Sequence, residues 1–134
     1  MKIKLDKGAI APTRAHPWDA GLDLYAMNDD TVIRGKTFDT GVHLEIPEGW
    51  VGFIKSKSGL MVNHNITTDG TIDAHYTGSI KVKLFNHGNV SYDVKAGDKI
   101  AQLVIVPCMQ PRLELVDSLD ETDRGDNGFG STGR

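Results

Sequence analysis

Apolar and polar residues alternate with a period of two in three stretches, Lys2-Ile3-Lys4-Leu5, Val42-His43-Leu44-Glu45-Ile46 and Ile80-Lys81-Val82-Lys83-Leu84. Successive side chains of a strand point to opposite faces, so this pattern predicts half-buried strands. Val51-Gly52-Phe53-Ile54 and Leu103-Val104-Ile105-Val106 are short apolar runs and predict strands buried on both faces. Turn-forming clusters separate these runs, among them Asn28-Asp29-Asp30, Pro47-Glu48-Gly49, Asn86-His87-Gly88-Asn89 and Lys95-Ala96-Gly97-Asp98. Many short strands at this spacing predict one all-β domain, a sandwich or a barrel. A turn or two of helix fits only around Ser58 to His64, with Ser58 as its cap. No internal repeat is present.

Composition narrows this picture. At 134 residues the chain is one domain with room for a core. Fifteen Lys and Arg against 18 Asp and Glu give a net charge of −3, which argues against nucleic acid as the main partner. The longest apolar stretch, Ile100 to Cys108, is interrupted by Gln102 and is too short to span a bilayer. The opening Met1-Lys2-Ile3-Lys4-Leu5-Asp6 alternates and shows no secretory leader. A single cysteine, Cys108, fits a reducing compartment and reads as buried filler. The expected location is cytoplasmic, with no membrane partner.

Candidate chemistry lies where polar or glycine residues break the strand pattern. Asp23, between Leu22 and Leu24, faces away from the side they bury; it is either a solvated strand carboxylate or the holder of a hydrated divalent cation. Lys55-Ser56-Lys57-Ser58-Gly59 follows a buried strand and is either a basic turn or a phosphate-binding junction. Gly70-Thr71-Ile72-Asp73-Ala74-His75-Tyr76-Thr77-Gly78 suggests a hairpin that offers Asp73 as a base and Tyr76 as an aromatic wall, with His75 facing solvent. Gln102, inside an apolar run, needs a partner in the backbone or in a ligand. No His, Cys and carboxylate set has zinc spacing. Residues 120–123 read as a linker from the domain of residues 1–119 into a glycine-rich arm ending at Arg134. That arm holds two arginines, two hydroxyls and Phe129, the parts of an anion cradle with a ring for a flat heterocycle.

In order and spacing these stretches resemble the five motifs of the trimeric deoxyuridine triphosphatases (dUTPases). They are Ala20-Gly21-Leu22-Asp23-Leu24; Ser58-Gly59-Leu60; Gly70-Thr71-Ile72-Asp73 with Tyr76 and Gly78; Gly97-Asp98-Lys99-Ile100-Ala101-Gln102-Leu103; and Arg124-Gly125 with Gly128-Phe129-Gly130-Ser131-Thr132-Gly133. The resemblance implies a jelly-roll-like β-barrel, a homotrimer with shared active sites, and magnesium-dependent hydrolysis of dUTP to dUMP and pyrophosphate. It implies that Asp73 deprotonates the attacking water. The backbone of residues 70 to 82, including Gly70, Ile72, Ile80 and Val82, would read uracil, and Tyr76 would reject a 2′-hydroxyl. Lys57, Ser58, Gly59 and Gln102 would meet phosphates, and Asp23 would hold Mg2+ through water. Gly128, Phe129 and Gly130 would close over the base, with Arg124, Ser131 and Thr132 on the terminal phosphate.

Three departures stand against the family pattern. Lys57 replaces an arginine and loses its planar fork. Thr67 stands about where an asparagine helps bind the base, and Asp126-Asn127 stand where small residues are common. Two rival functions remain open at this stage. One is a dCTP deaminase of the same fold, for which neither Glu45 nor Glu48 lies in a matching motif. The other is a nucleotide-gated regulatory binding protein.

Overall fold

The alternation around residue 82 is realised in full: the strand Lys81–Asn86 buries Val82, Leu84 and Asn86 and exposes Lys81, Lys83 and Phe85. In the computed structural model, which describes residues 1–128, that strand is one of eleven, and there is one helix. The order is β1 (Lys2–Leu5), β2 (Gly21–Tyr25), β3 (Asp30–Val32), β4 (Gly35–Asp39), β5 (Val42–Glu45), β6 (Trp50–Lys55), α1 (Ser58–His64), β7 (Ile66–Thr67), β8 (Asp69–Ile72), β9 (Lys81–Asn86), β10 (Tyr92–Val94) and β11 (Lys99–Pro107). The chain is a single all-β domain with one short helix.

Four small antiparallel sheets share one core. β11 lies between β2 and β6 in a four-stranded sheet closed by β8, and β9 lies between β4 and β7 in a three-stranded one. β1 pairs with β5, and β10 with β3. Leu24, Ile54, Ile72, Ile80, Val82, Leu84 and Leu103 meet between the two larger sheets, where burying each large aliphatic side chain contributes about 1.5–3 kcal/mol. Among the described residues no helix is long and apolar enough to cross a membrane.

Several details differ from the sequence pattern. β1 is a strand, yet all four of its residues are exposed, because it is paired on one side only and no sheet covers either face. The runs expected to be buried on both faces alternate in part: Phe53, Val104, Ile105 and Val106 are half-exposed. Ser58 is the first helical residue rather than the cap. Lys57 takes the cap position with extended backbone and no capping side-chain bond. Cys108 is half-buried, with its thiol 3.5 Å from the Met109 carbonyl, because β11 ends one residue earlier.

The expected hairpin of residues 70–78 is absent. β8 pairs with β6 and β9 pairs with β4 and β7, so Asp73 to Ile80 form a crossover between two sheets. Beyond β11 the described chain has no regular structure, and Met109, Leu113, Leu115 and Leu119 are almost wholly exposed.

Candidate active site

The register of the four-stranded sheet builds one row of charge. Gln102 on β11 stands opposite Asp23 on β2 and opposite Lys55 on β6, and Lys55 stands opposite Asp69 on β8. Cross-strand neighbours share a face, so four polar side chains from separate stretches of sequence meet along one line. Lys57, just past β6, folds back over this row and places Nζ 2.5 Å from Asp23 Oδ1. Lys99 Nζ approaches Asp23 Oδ2 at 2.8 Å from the start of β11. The expectation of a solvated Asp23 therefore fails: the residue is 6% exposed and both carboxylate oxygens are occupied. Burial pushes its carboxyl up, and the two ammonium groups outweigh that and hold it below the ordinary carboxylate range.

Gln102 donates from Nε2 to the Ser56 carbonyl at 3.0 Å, which is the backbone partner its burial demands. Its Oε1 occupies the space over Gly21, where a Cβ would come within 2.3 Å. That close approach explains the glycine two residues before Asp23. The Ser56 hydroxyl is engaged with the Thr68 backbone, fixing the chain just before Lys57. Together Asp19, Gly21, Asp23, Lys55, Lys57 and Gln102 line a cleft of about 370 Å3. Ser58 and Gly59 are exposed nearby at the start of α1, with open space around Gly59.

A second group lies elsewhere. Ile72 stands opposite Gly52, three residues along β6 from Lys55, roughly 10 Å at the rise of a strand. Asp73 follows it, exposed, and no described residue bonds its carboxylate. Its carbonyl accepts from Tyr76 N–H at 3.2 Å, which closes the turn. His75 takes the left-handed backbone conformation (φ 66°), and its ring is exposed as expected, 3.2 Å from Glu48. The Tyr76 hydroxyl donates to the Ser79 carbonyl at 3.1 Å, and its ring lies so close over Gly78 that a Cβ there would meet the hydroxyl at 2.5 Å. Ile72, Ile80 and Val82 point into the core, so they present backbone, not side chains, to any ligand. Gly70 is half-buried against Ile54.

The described part of the arm reaches neither group. Arg124 donates from Nε to the Asn127 carbonyl at 3.2 Å within a local turn, and Gly128 is exposed. Phe129, Gly130, Ser131 and Thr132 lie outside the described residues. A larger cavity, about 470 Å3 against β1 and β5, touches the second group only at Thr77. Convergent charge, more than size, marks a candidate anion site, and by that measure the smaller cleft is the better one.

The order of these elements carries over to known proteins. The family model described as dUTPase matches residues 7–133. The chain belongs to the dUTPase family. A deoxyuridine 5'-triphosphate nucleotidohydrolase of Syntrophotalea carbinolica is 43% identical, covering 99% of this chain and 96% of that protein. One from Arabidopsis thaliana is 47% identical over 97% of this chain and 80% of that protein. Among solved structures, a Staphylococcus bacteriophage 80alpha dUTPase mutant with dUpNHpp superposes with a TM-score of 0.89 at 30% identity, covering 99% of this chain and 98% of that one. A mutant dUTPase from phage phi11 of S. aureus, described as revealing the coordination of a structural Mg(II) ion, gives 0.83 at 27% identity, over 90% and 98%.

Sequence reasoning gave no role to one lysine beside this cleft and saw another only within a basic stretch. Lys99 sits in the fourth motif without an assigned role, and only the β2–β11 register reveals that it shares Asp23 with Lys57. Lys55 was visible as part of a basic stretch, but its alignment with Gln102 comes from β6 pairing with β11. Among the described residues no three His, Cys, Asp or Glu side chains gather to hold a metal.

Proposed function

We propose that the chain hydrolyses dUTP to dUMP and pyrophosphate. Family membership over residues 7–133 carries this reading. The cleft offers a triphosphate Lys55 and Lys57 on its wall and Lys99 beside Asp23; Lys55 pairs with Asp69 at 2.5 Å and the other two with Asp23, and phosphate oxygens would take over these cations. In the reaction, water adds to the α-phosphorus and Asp73 takes its proton. The bond from that phosphorus to the α–β bridging oxygen breaks, and pyrophosphate leaves. The Asp73 carboxylate, exposed and bonded by no described residue, suits this part. The backbone around Gly70, Ile72, Ile80 and Val82 reads the pyrimidine edge, and Tyr76 packs against the deoxyribose.

A homotrimer with shared sites accounts for the separation of the two groups within one chain. Asp73 and Tyr76 of one subunit then face Asp23, Lys57, Ser58 and Gln102 of another. The exposed apolar residues between Met109 and Leu119 suit a segment that packs on a neighbouring subunit. Residues 1–119 form the body in this reading, and residues 120–134, with Arg124, Phe129, Ser131 and Thr132, close over the nucleotide. A cytoplasmic location belongs with it, where nucleotide pools and reduced thiols coexist.

The donor set fits Mg2+ only as an ion that keeps its waters and shares phosphate oxygens, since a single carboxylate, Asp23, is on offer. When bound, Mg2+ would supply neutralisation of phosphate charge. Asp23 would hold it through water once Lys57 turned from the carboxylate to a phosphate. The decisive experiment measures pyrophosphate release from dUTP, dCTP, dTTP and UTP in parallel, with magnesium and with chelator. Magnesium-dependent release from dUTP alone is expected. Ammonia from dCTP would favour a deaminase, and dUTP binding without turnover would favour a regulatory protein.

A further inference from the structure

The crossover that carries Asp73 and Tyr76 is pinned to the body by side chains of the β4–β5 segment. His43, on β5, places Nδ1 2.8 Å from the Thr77 carbonyl oxygen and Nε2 3.1 Å from Asp6 Oδ2. Both partners are acceptors. A neutral imidazole has one N–H to give, whereas the imidazolium has two, so only the protonated ring satisfies both contacts. The side chain is 17% exposed, whereas Asp6 and Thr77 are exposed, so the clamp sits at the edge of solvent.

Downstream of this clamp the contacts run directly to Tyr76. The Ser79 hydroxyl donates to Asp39, and the Ser79 carbonyl accepts from the Tyr76 hydroxyl. Ile80 N–H donates to the Val42 carbonyl at 2.8 Å, immediately before His43 in sequence. Release of Thr77 therefore loosens the segment between Asp73 and Ile80 from its middle.

The charges around His43 favour its proton. Asp6 follows β1, and Asp39 ends β4 with Lys81 opposite it in register. Lys4 stands opposite His43 on β1 and also lies 3.8 Å from Asp6. Glu45 is engaged further along by Lys2 at 2.9 Å. The Thr77 carbonyl and then Asp6 raise the proton affinity of His43 above the ordinary histidine value, against desolvation and Lys4.

We propose that His43 is a positioning residue, which as an imidazolium bridges Asp6 and the Thr77 carbonyl and on losing its proton lets the Asp73–Ile80 crossover loosen. The kinetic consequence rests on the dUTPase reading above, and the physical consequence does not. The sign is fixed: a group whose folded affinity for protons is raised stabilises below its unfolded pKa, and the contribution is lost as pH rises through the folded value.

The test uses the full chain and two readouts. The first is an NMR titration of the His43 ring with amide exchange at Tyr76 and Ile80 between pH 6 and 9. His43 should titrate above its usual value of about 6.5. Exchange at both amides should accelerate in the same step, beyond the chemical rise with pH. The second readout is KM and kcat for dUTP. The KM of the parent chain relative to His43→Gln should grow about three- to tenfold from pH 6 to 9, the scale of one ordinary hydrogen bond. Gln can donate to Thr77 without titrating, so its own profile lacks the step. Asp6→Asn should shift the parent step to lower pH, and it decides the matter if His43→Gln does not fold. A His43 that titrates at or below 6.5, or parallel KM profiles for parent and His43→Gln, would overturn the proposal. If the parent chain fails to hydrolyse dUTP, the activity reading falls and the NMR readout alone decides this one.

Discussion

The cleft and the crossover solve opposite problems with the same kind of residue. In the cleft, Asp23 is buried and held by two lysines, so its carboxylate serves as an internal counterion. In the crossover, Asp73 is exposed and bonded by no described residue, while the segment around it is tied down at Tyr76, Thr77, Ser79 and Ile80. A carboxylate that organises cations needs partners, whereas one that takes a proton from water needs a fixed position and open coordination. Mutations on the two sides should therefore fail differently.

The largest expected effect is on the crossover side. Asp73→Asn should keep dUTP binding and lower kcat by about two or more orders of magnitude, the loss typical of a positioned base. Steady-state kinetics with a parallel binding isotherm checks this. Near-normal turnover would remove Asp73 from the role of base and with it the functional half of the comparison.

On the cleft side, Gly21→Ala sets a Cβ against Gln102 Oε1 and Cβ, at 2.3 and 3.0 Å. The Gln102 side chain must move and lose its bond to the Ser56 carbonyl. We expect a loss of about 1–3 kcal/mol in thermal or denaturant unfolding, the usual range for overpacking, with KM rising more than kcat falls. An unchanged KM would separate Gln102 from substrate binding.

These two residues also show how far the sequence could be read. Period-two alternation found β5 and β9 because one face of each is buried and the other is wet. It could not find what covers β1, whose apolar residues are exposed in a single chain. Glycines flanking Asp73 suggested a hairpin, because local turn chemistry looks the same whether the flanking strands pair with each other or with different sheets. Asp23 stood out as a polar residue between leucines, but its burial depends on Lys57 and Lys99, which lie 34 and 76 positions away in sequence. Cross-sheet register is a long-range property, and no local pattern encodes it.

Gly78→Ala tests whether the crossover selects the sugar. A Cβ there would meet the Tyr76 hydroxyl at 2.5 Å and force the ring from its place on the turn. The expected result is a loss of discrimination between dUTP and UTP of about tenfold, the low end of the roughly 10–200-fold that small packing changes command. Stability should change by less than in Gly21→Ala, because Tyr76 is half-exposed and can swing outward. Competition kinetics with the two nucleotides measures it. Unaltered discrimination would mean that another group reads the 2′ position.

The smallest effect is electrostatic and belongs to the cleft. The Asp23 carboxyl is held below its ordinary value of 3.8 by Lys57 and Lys99, against the upward push of burial. The unfolded chain then binds the proton more readily than the folded one. The stabilisation is present above about pH 4 and is lost as pH falls through the folded value. Both lysines are partly solvated, so screening limits the contribution to about 1 kcal/mol or less. Asp23→Asn should flatten the fall in unfolding free energy between pH 5 and 3 by that amount. Equal slopes in the parent chain and Asp23→Asn would show that the two lysines do not hold Asp23 as a counterion in solution, and the cleft side of the comparison would be lost.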